Sequence, residues 1–549
     1  MRQSIQGLVA DVVSGRIFPG EVIWGNDRIC EIVENPGAMQ DRMIVPGFVD
    51  AHVHVESSLL APTAFGREAC IHGTVATVSD PHEIANVLGV DGVRWMMADA
   101  KDSPVKIYFG APSCVPATPF ETAGAKLGAA EVEELLAMPG IKYLAEVMNF
   151  PAVIHRDPAM MAIVEAARRM GKHIDGHAPG VMGEDLKKYA AAGIETDHEC
   201  VSMEEARQKA ALGMFIAIRE GSAARNFDAL VDMLRENPGR CFLCSDDKHP
   251  DELLLGHIDR LIARAIAAGV APMDALRAAT LNPVRHYGLE VGLLQKGDWA
   301  DFAVISNLSE CRVLETWING KKVAEQGRCV IPAPAPIPAG KCPNKFTCSP
   351  KAPADFTVPA PSAGRQIRVI VAKDGQLITD METVEPAIQG GLAVSDPKRD
   401  LLKIAVVNRY ANTPPAVGFI KNFGLQEGAM ASSVAHDSHN IVAVGVDDAN
   451  LCEAVNAVIA HKGGLSAVFQ GKVDVLPLPI AGLMNPGNCR EVGDAFTRLT
   501  ESAKAAGCPL RSPYMTLSFM ALLVIPRLKI GDKGLFDVVS FSPVPLEAE

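Results

Sequence analysis

The sequence predicts an α/β protein: a (β/α)8 barrel, a small β-sandwich formed from both flanks of that barrel, and a C-terminal α+β domain. At 549 residues the chain is too long for a single hydrophobic core. Between 46 and 285, short apolar runs alternate with amphipathic segments, which indicates parallel strands joined by helical crossovers. About eight such units over about 240 residues favour a closed barrel over an open sheet.

The order of segments along the chain predicts the domain boundaries. Short strands separated by Gly, Pro and Asn occupy 1–45 and return at 286–330, and together they predict the β-sandwich domain. The barrel then spans 46–285. A proline-rich stretch at 331–363 predicts a stiff, polyproline-like linker, and 364–549 forms the C-terminal domain.

Composition excludes several classes of function. A net charge of −13 argues against a general binder of nucleic acid or of anionic membranes, because either needs a basic surface. No window offers about 18 uninterrupted apolar residues, so no membrane span is expected. The 13 cysteines have no repeating spacing, which is typical of reduced thiols, and the first residues lack a signal-peptide pattern. We therefore expect a cytoplasmic protein.

The most informative stretch is Val45-Pro46-Gly47-Phe48-Val49-Asp50-Ala51-His52-Val53-His54. Side chains alternate faces along a strand, so His52 and His54 point the same way at the end of an apolar run. Two imidazoles directed into one space are typical of a metal site.

Four more ligand-type side chains end later apolar runs. In a barrel of parallel strands, all C-terminal ends open on one face, so these groups converge with the histidine pair. Any one of them alone could cap a helix, but six in order at strand ends favour two metal ions bridged by a carboxylate. The additional four are Glu146, His177, His198 and Asp246.

This ligand set predicts hydrolytic chemistry. Two divalent ions lower the pKa of a shared water to about neutrality and so produce hydroxide. Nitrogen and oxygen ligands suit Zn, Mn or Fe(II). Asp246 is predicted to take the proton of that water and pass it to a leaving group. Asp247 remains an alternative ligand, because a shift of one residue reverses the face.

Several segments resemble a known family. The run 46–54 with the four later ligands resembles the amidohydrolase superfamily of metal-dependent hydrolase barrels across about 1–330. The match narrows to the bacterial, metal-dependent adenine deaminase family through 52–58, 79–83, 219–222, 244–250, 436–440 and 461–464. It covers nearly the whole chain, and the proline-rich linker least.

The resemblance implies that water converts adenine to hypoxanthine and ammonia, in purine salvage, at a binuclear Mn(II) or Fe(II) centre. His52, His54 and Asp246 would hold one ion and His177 and His198 the other, with Glu146 as the bridge. Many relatives bridge with a carbamylated lysine, but Lys142 enters its strand rather than leaving it. The resemblance also implies a homo-oligomer, a dimer or tetramer.

Under that reading a bridging hydroxide attacks carbon 6 of the purine, and Asp246 and Glu146 are candidates for the proton transfers. Asp80, His82 and Glu83 follow the second apolar run and could orient substrate or water, although a helix start with an acid in its first turn is an equal alternative. The resemblance adds Ser57 to the substrate-binding candidates.

Arg219, Glu220 and Ser222 end another strand, where they could grip ring nitrogens, with a surface ion pair as the alternative for Arg219. The segment His436-Asp437-Ser438-His439-Asn440 favours a hydrogen-bonded loop that closes the pocket and binds substrate through His436 and Asp437. A third metal site and a structural turn are the alternatives there.

Two rival functions remain at this point. One keeps the metal centre and hydrolyses a cyclic amide or amidine, as dihydroorotase and hydantoinase do, but it would not need the last 185 or so residues. The other is a catalytically inactive barrel scaffold, which should have lost ligands.

Overall fold

The computed structural model describes residues 2–222, 224–335, 337–362 and 364–548. The predicted linker at 331–363 therefore includes two residues, 336 and 363, outside the described part. Four strands open the chain, and the first two pair over their whole length. They are β1 (Arg2–Asp11), β2 (Arg16–Gly25), β3 (Arg28–Glu34) and β4 (Met43–Pro46).

The barrel follows at once. Gly47 separates β4 from the first barrel strand, and a Cβ there would lie 2.2 Å from a Val75 methyl carbon, so a glycine is required. The apolar run of 45–54 is thus divided between two sheets. The barrel strands are β5 (Phe48–Val53), β6 (Thr74–Ser79), β7 (Lys106–Ala111), β8 (Ile141–Val147), β9 (His173–Gly176), β10 (Thr196–Asp197), β11 (Phe215–Arg219) and β12 (Cys241–Cys244).

These strands close on themselves. They form two parallel runs, β5 to β9 and β10 to β12. The Glu195 amide donates to the Ile174 carbonyl (2.9 Å) at the first junction, and the Asp246 amide donates to the His52 carbonyl (3.0 Å) at the second. The predicted (β/α)8 barrel is confirmed, and the predicted eighth strand at 240–245 agrees with β12, whereas β10 is only two residues long.

Helices cover the outside of the barrel. Most present one apolar face to the strands, as an amphipathic helix in a barrel must. They are α1 (Pro62–Ala69), α2 (His82–Leu88), α3 (Val90–Asp99), α4 (Ala129–Leu136), α5 (Phe150–Ile154), α6 (Pro158–Arg169), α7 (Gly183–Ala191), α8 (Met203–Ala211), α9 (Phe227–Leu230), α10 (Met233–Glu236), α11 (Pro250–Leu253), α12 (Ile258–Ala267), α13 (Pro272–Ala278) and α14 (Leu281–Tyr287). No helix in the described ranges is apolar and long enough to cross a bilayer.

The flanks of the barrel join in one eight-stranded sheet, in the order β16-β15-β14-β13-β4-β1-β2-β3. The rings of Trp24, Phe302 and Trp317 pack together on this sheet, with centroids 4.9–5.7 Å apart. The four later strands are β13 (Phe302–Ile305), β14 (Val313–Ile318), β15 (Lys321–Glu325) and β16 (Arg328–Cys329).

The proline-rich segment is anchored near its start and again near its end. Arg67 donates to the Ile331 carbonyl (2.7 Å), and the Phe356 side chain is fully buried. Proline lacks an N–H but keeps its carbonyl, so such a segment can still accept hydrogen bonds. It therefore packs against the folded domains rather than spanning open solvent.

The last part of the chain forms a mixed domain around a second eight-stranded sheet, in the order β19-β18-β23-β22-β25-β24-β26-β27. Helix α15 packs on this sheet. The elements are β17 (Val358–Pro359), β18 (Ile367–Val371), β19 (Asp380–Val384), β20 (Ala387–Gln389), β21 (Leu392–Val394), β22 (Leu402–Val407), β23 (Ala416–Lys421), β24 (Ala429–Ser432), β25 (Ile441–Gly445), α15 (Asp448–Ala460), β26 (Gly464–Phe469), β27 (Lys472–Pro477), α16 (Cys489–Ala505), α17 (Pro513–Phe519), β28 (Leu528–Gly531), β29 (Gly534–Asp537) and β30 (Ser542–Pro543).

This C-terminal domain lies against the mouth of the barrel. The Asn485 amide donates to the Leu59 carbonyl (2.8 Å), and Asn440 Nδ2 donates to the Thr122 carbonyl (2.9 Å). Both barrel residues lie in loops that follow strand C-termini, β5 and β7. The domain therefore covers the end of the barrel at which active sites of this architecture are built.

Candidate metal centre

The six predicted ligands meet in one buried cluster at the C-terminal end of the barrel. Each is at most 7% exposed. His52 Nε2 and His54 Nε2 lie 3.2 Å apart, and both face Asp246 Oδ1, at 3.4 and 3.3 Å. This trio can offer one ligand atom each to a single ion.

Glu146 lies between the two halves of the cluster. Its Oε1 is 3.5 Å from His54 Nε2, whereas its Oε2 is 2.8 Å from His177 Nδ1 and 3.0 Å from His198 Nε2. One carboxylate oxygen thus faces each histidine pair, which is the arrangement a bridging ligand needs. The imidazole of His52 stacks on that of His198 with centroids 4.1 Å apart and so joins the two halves.

The local backbone explains how Asp246 reaches the centre. Its φ is +54°, in the left-handed region that residues other than glycine adopt uncommonly and that aspartate adopts more readily than most. The Asp246 amide donates to the His52 carbonyl, and its carbonyl accepts from the His54 amide (3.3 Å), so both sides of the residue are bonded to the end of β5. Strain held by such bonds is common at functional sites.

The electrostatics of the cluster favour ionised carboxylates. Burial opposes the charge on Glu146, but the imidazoles of His177 and His198 hold its pKa well below the usual range. Burial likewise opposes the charge on Asp246, and the Arg219 guanidinium with His52 and His54 holds that pKa well below its usual range. Ionised carboxylates are the form that binds a metal.

The donor set fits divalent metal ions. The Nε2 atom of His177 and the Nδ1 atom of His82 are buried and, in the described part of the chain, lack hydrogen-bond partners. Four imidazoles and two carboxylates are ligands that Zn, Mn and Fe accept. Buried polar atoms without partners in the middle of such a set are accounted for by bound cations.

A second group of predicted residues lies beside the centre. His82 Nδ1 is 3.2 Å from Asp80 Oδ2 and 3.5 Å from Glu146 Oε1. Ser57 donates to Glu83 (2.9 Å), whose Oε1 is 3.4 Å from His436 Nδ1. Burial and then the neighbouring Glu56 and Asp247 carboxylates raise the pKa of Glu83 well above its usual value.

The C-terminal domain supplies part of the cavity wall. Asp437 Oδ1 lies 3.7 Å from His82 Nε2, and the His436 ring stacks on Phe519 with centroids 4.4 Å apart. Leu377, Phe519 and Leu522 complete the apolar part of the wall. The cavity that these residues line is small, about 30 Å³.

A larger cavity of about 750 Å³ adjoins it, also between the barrel and the C-terminal domain. The two cavities share four wall residues, Met148, Glu199, Arg219 and Leu377. The larger one opens to solvent past Val539, which is 71% exposed. The larger cavity therefore lies between solvent and the small cavity beside the cluster.

Three predicted substrate contacts have other partners. Arg219 donates to Glu199 (2.6 and 2.8 Å) and to Asp246 (2.8 Å), so its guanidinium positions a proposed ligand rather than facing the cavity freely. Glu220 pairs with Arg264 (2.7 Å) on the barrel exterior. Ser222 donates to Glu252 (3.0 Å). Among the described residues, neither Glu220 nor Ser222 lines the cavity, because the chain turns away once β11 has ended at Arg219.

Comparison with known proteins agrees with this geometry. Residues 43–323 match the amidohydrolase family, and residues 376–542 match the adenine deaminase C-terminal domain. An adenine deaminase of Salinibacter ruber is 52% identical over 540 residues, which are 98% of each chain. One from Methanosarcina mazei is 50% identical over 99% of each chain, and one from Borreliella burgdorferi is 44% identical over 98% of each. The chain belongs to the adenine deaminase family.

Some residues at the site of this adenine deaminase family member were not predicted from the sequence. Glu199 binds Arg219 and lies 3.5 Å from both His177 and His198, and its position directly after His198 was the available signal. The sequence contains no comparable signal for Leu377, Phe519 and Leu522, because their place in the cavity wall depends on how the two domains meet.

Lys529 supports the wall that the C-terminal domain contributes. Its Nζ is buried and donates to the carbonyls of Leu377 (2.7 Å) and Phe519 (2.9 Å), and burial lowers the pKa of this lysine to about 7. In the unfolded chain a lysine titrates near pH ~10.4. The unfolded state therefore binds more protons between about pH 7 and 10, so this residue makes stability rise with pH in that window.

We expect the substitution Lys529→Met to remove that contribution. The apparent Tm of the wild type minus that of the variant should increase from pH 7 to pH 10 and stay flat below pH 7. The value of kcat/KM should also fall, because Leu377 and Phe519 lose their common anchor. Thermal denaturation of both proteins across this range tests the point, and a Tm difference that is independent of pH contradicts it.

Proposed function

We propose that this protein hydrolyses adenine to hypoxanthine and ammonia at a binuclear Mn(II) or Fe(II) centre, as a cytoplasmic homo-oligomer, dimer or tetramer, of purine salvage. One observation supports the proposal above all: six ligand-type side chains from five strand ends, with Glu146 at their centre, gather in a chain 52% identical to an adenine deaminase over nearly its full length. The C-terminal match argues against the ring-amide alternative, and the complete ligand set argues against an inactive scaffold.

The proposed ligands divide between two ions. His52, His54 and Asp246 would hold one ion, His177 and His198 would hold the other, and Glu146 would contribute to both. When bound, such ions lower the pKa of water so that it can act as a nucleophile near neutrality, and they polarise the atom under attack.

The protein's own groups move the protons. Water adds to carbon 6 of adenine, the bond from carbon 6 to the amino nitrogen breaks, and ammonia leaves. Asp246 accepts a proton from the attacking water and delivers it to the amino nitrogen, and the Arg219 guanidinium holds that carboxylate in place. His82, held by Asp80 on one side and facing Asp437 on the other, orients the reacting groups.

The buried polar set around Glu83 is proposed to recognise the ring. Glu83 lies in the cavity wall with Ser57 and His436 beside it. Burial and then the Glu56 and Asp247 carboxylates raise the pKa of Glu83 well above its usual value, which favours the protonated form that can donate a hydrogen bond to a ring nitrogen. A planar base with several acceptor nitrogens suits a wall that contains both donors and acceptors.

Ammonia release from a panel of substrates tests the proposal. We expect turnover of adenine and no turnover of adenosine, in line with the match to the adenine deaminase C-terminal domain and the identity to adenine deaminases over nearly the whole chain. Hydantoin and dihydroorotate serve as ring-amide controls, and because opening of these rings releases no ammonia, their hydrolysis is followed by chromatography of the remaining substrate. Hydrolysis of a ring amide alone, or no turnover of adenine by protein that carries two ions per chain, contradicts the proposal.

Removal of metal is a separate prediction. Dialysis against a chelator should abolish ammonia release from adenine, and addition of Mn(II) should restore it, because the ligand set offers no other source of a strong nucleophile at neutral pH. Metal analysis of the same samples provides the check. Full activity in protein with less than one ion per chain would contradict the metal assignment.

A further inference from the structure

A second cluster of metal-type ligands lies at the opposite end of the barrel. His173 begins β9, whereas the proposed ligand His177 follows its end, so the two lie about 13 Å apart along the strand direction. The cluster contains His173, Glu195 and His286, and these three can present ligand atoms within 4.8 Å of one another.

The geometry of this cluster suits one ion. His286 Nε2 lies 3.6 Å from Glu195 Oε2, close to the spacing of about 3.3 Å that tetrahedral ligands at about 2.0–2.2 Å from zinc adopt. His173 Nδ1 forms a hydrogen bond with the same oxygen (2.6 Å), and this bond would have to lengthen to about 3.3 Å for both atoms to bind one ion. The three ligands come from three chain segments: the start of β9, the residue before β10, and α14.

His286 provides the second, independent observation. Its side chain is only 6% exposed, and its Nε2 has no hydrogen-bond partner among the residues that the structure describes. The rings of Phe215, Tyr287 and Phe242 surround the imidazole, with centroids 4.6, 4.6 and 5.4 Å away, and fix its orientation. A buried imidazole nitrogen without a partner, facing a carboxylate, is otherwise a cost to the fold.

We propose that His173, Glu195 and His286 form a separate site for a divalent transition-metal ion of the zinc type. Two imidazoles and one carboxylate suit Zn²⁺, and His173 and Glu195, each more than a third exposed, leave room for water to complete the coordination. The ion would tie the start of β9 and the residue before β10 to α14, the last barrel helix. Its role is structural, since it lies at the face remote from the proposed catalytic centre.

Counting metal ions tests the proposal. The holoenzyme, purified with Mn(II), is dialysed to equilibrium against micromolar Zn²⁺, and manganese and zinc are summed per chain, so that exchange at the catalytic centre does not affect the total. We expect one more ion per chain in the wild type than in His173→Asn or Glu195→Gln. The matched control is His155→Asn, which removes an exposed histidine outside the cluster and should retain the extra ion.

Each other outcome overturns the proposal. Equal totals in the wild type and the two cluster variants would mean that the cluster is only a hydrogen-bonded group. Loss of an ion in His155→Asn as well would mean adventitious binding to surface histidines. Anomalous scattering from crystals of the zinc-treated protein, collected at the zinc edge, gives an independent readout, and a peak is expected between the three side chains.

Discussion

Replacement of Glu146 by Gln should abolish most turnover and lower the metal content. The carboxylate faces both histidine pairs, and an amide cannot offer a negatively charged oxygen to each ion. Loss of a residue that only orients a metal ligand already costs ~10–100-fold in affinity for the metal. Loss of a bridging ligand should therefore cost more. We expect kcat/KM for adenine to fall by at least about 10³-fold, measured together with the number of ions per chain after dialysis.

A surface carboxylate provides the control for this variant. Glu165 is half exposed and pairs with Arg168, so Glu165→Gln removes one negative charge without touching the cluster. This variant should keep its ions and its rate. If Glu146→Gln retained full metal content and a near-normal rate, Glu146 would not bridge.

The second large effect separates two neighbouring aspartates. Asp246 contacts His52, His54 and Arg219, whereas Asp247 accepts a hydrogen bond from Ser57 (2.6 Å). Loss of a general acid–base group typically costs ~10²–10⁴-fold in rate. We expect Asp246→Asn to lose at least this much in kcat for adenine, since it also removes a charged ligand.

Asp247→Asn is the matched comparison. It should retain two ions per chain and act mainly on KM, because Asp247 lies beside Ser57 and Glu83 in the wall. Steady-state kinetics and metal analysis of both variants decide between the two residues. The reverse pattern, with metal lost only from Asp247→Asn, would exchange their roles.

The gathering of the six ligands was predictable from the sequence. Strand alternation and the common opening of parallel strands are local rules, and His177 and His198 follow strand ends as those rules require. The rules fail once a strand has ended. Glu220 and Ser222 are only one and three residues past Arg219, yet the turn directs both away from the cavity, and sequence spacing holds no information about that turn.

Contacts between domains were the other limit. The run 436–440 predicted a loop over the pocket, and the structure does place His436 and Asp437 in the cavity wall. The positions of Leu377 and Phe519 in the wall could not be predicted. Their carbonyls both accept from Lys529, which is 152 residues from Leu377 and 10 residues from Phe519. The pairing at Lys529 depends on tertiary packing, which no local pattern encodes.

The small size of the cavity beside the cluster, about 30 Å³, has a consequence for the working cycle. An adenine ring is many times larger than the one or two waters that such a space admits. Each round of catalysis must therefore begin and end with a movement of the wall that the two cavities share, so the wall that shields the reaction also limits the rates of substrate binding and product release. Variants that loosen this wall should bind and release the free base faster, and they should also admit bulk water to the reacting groups.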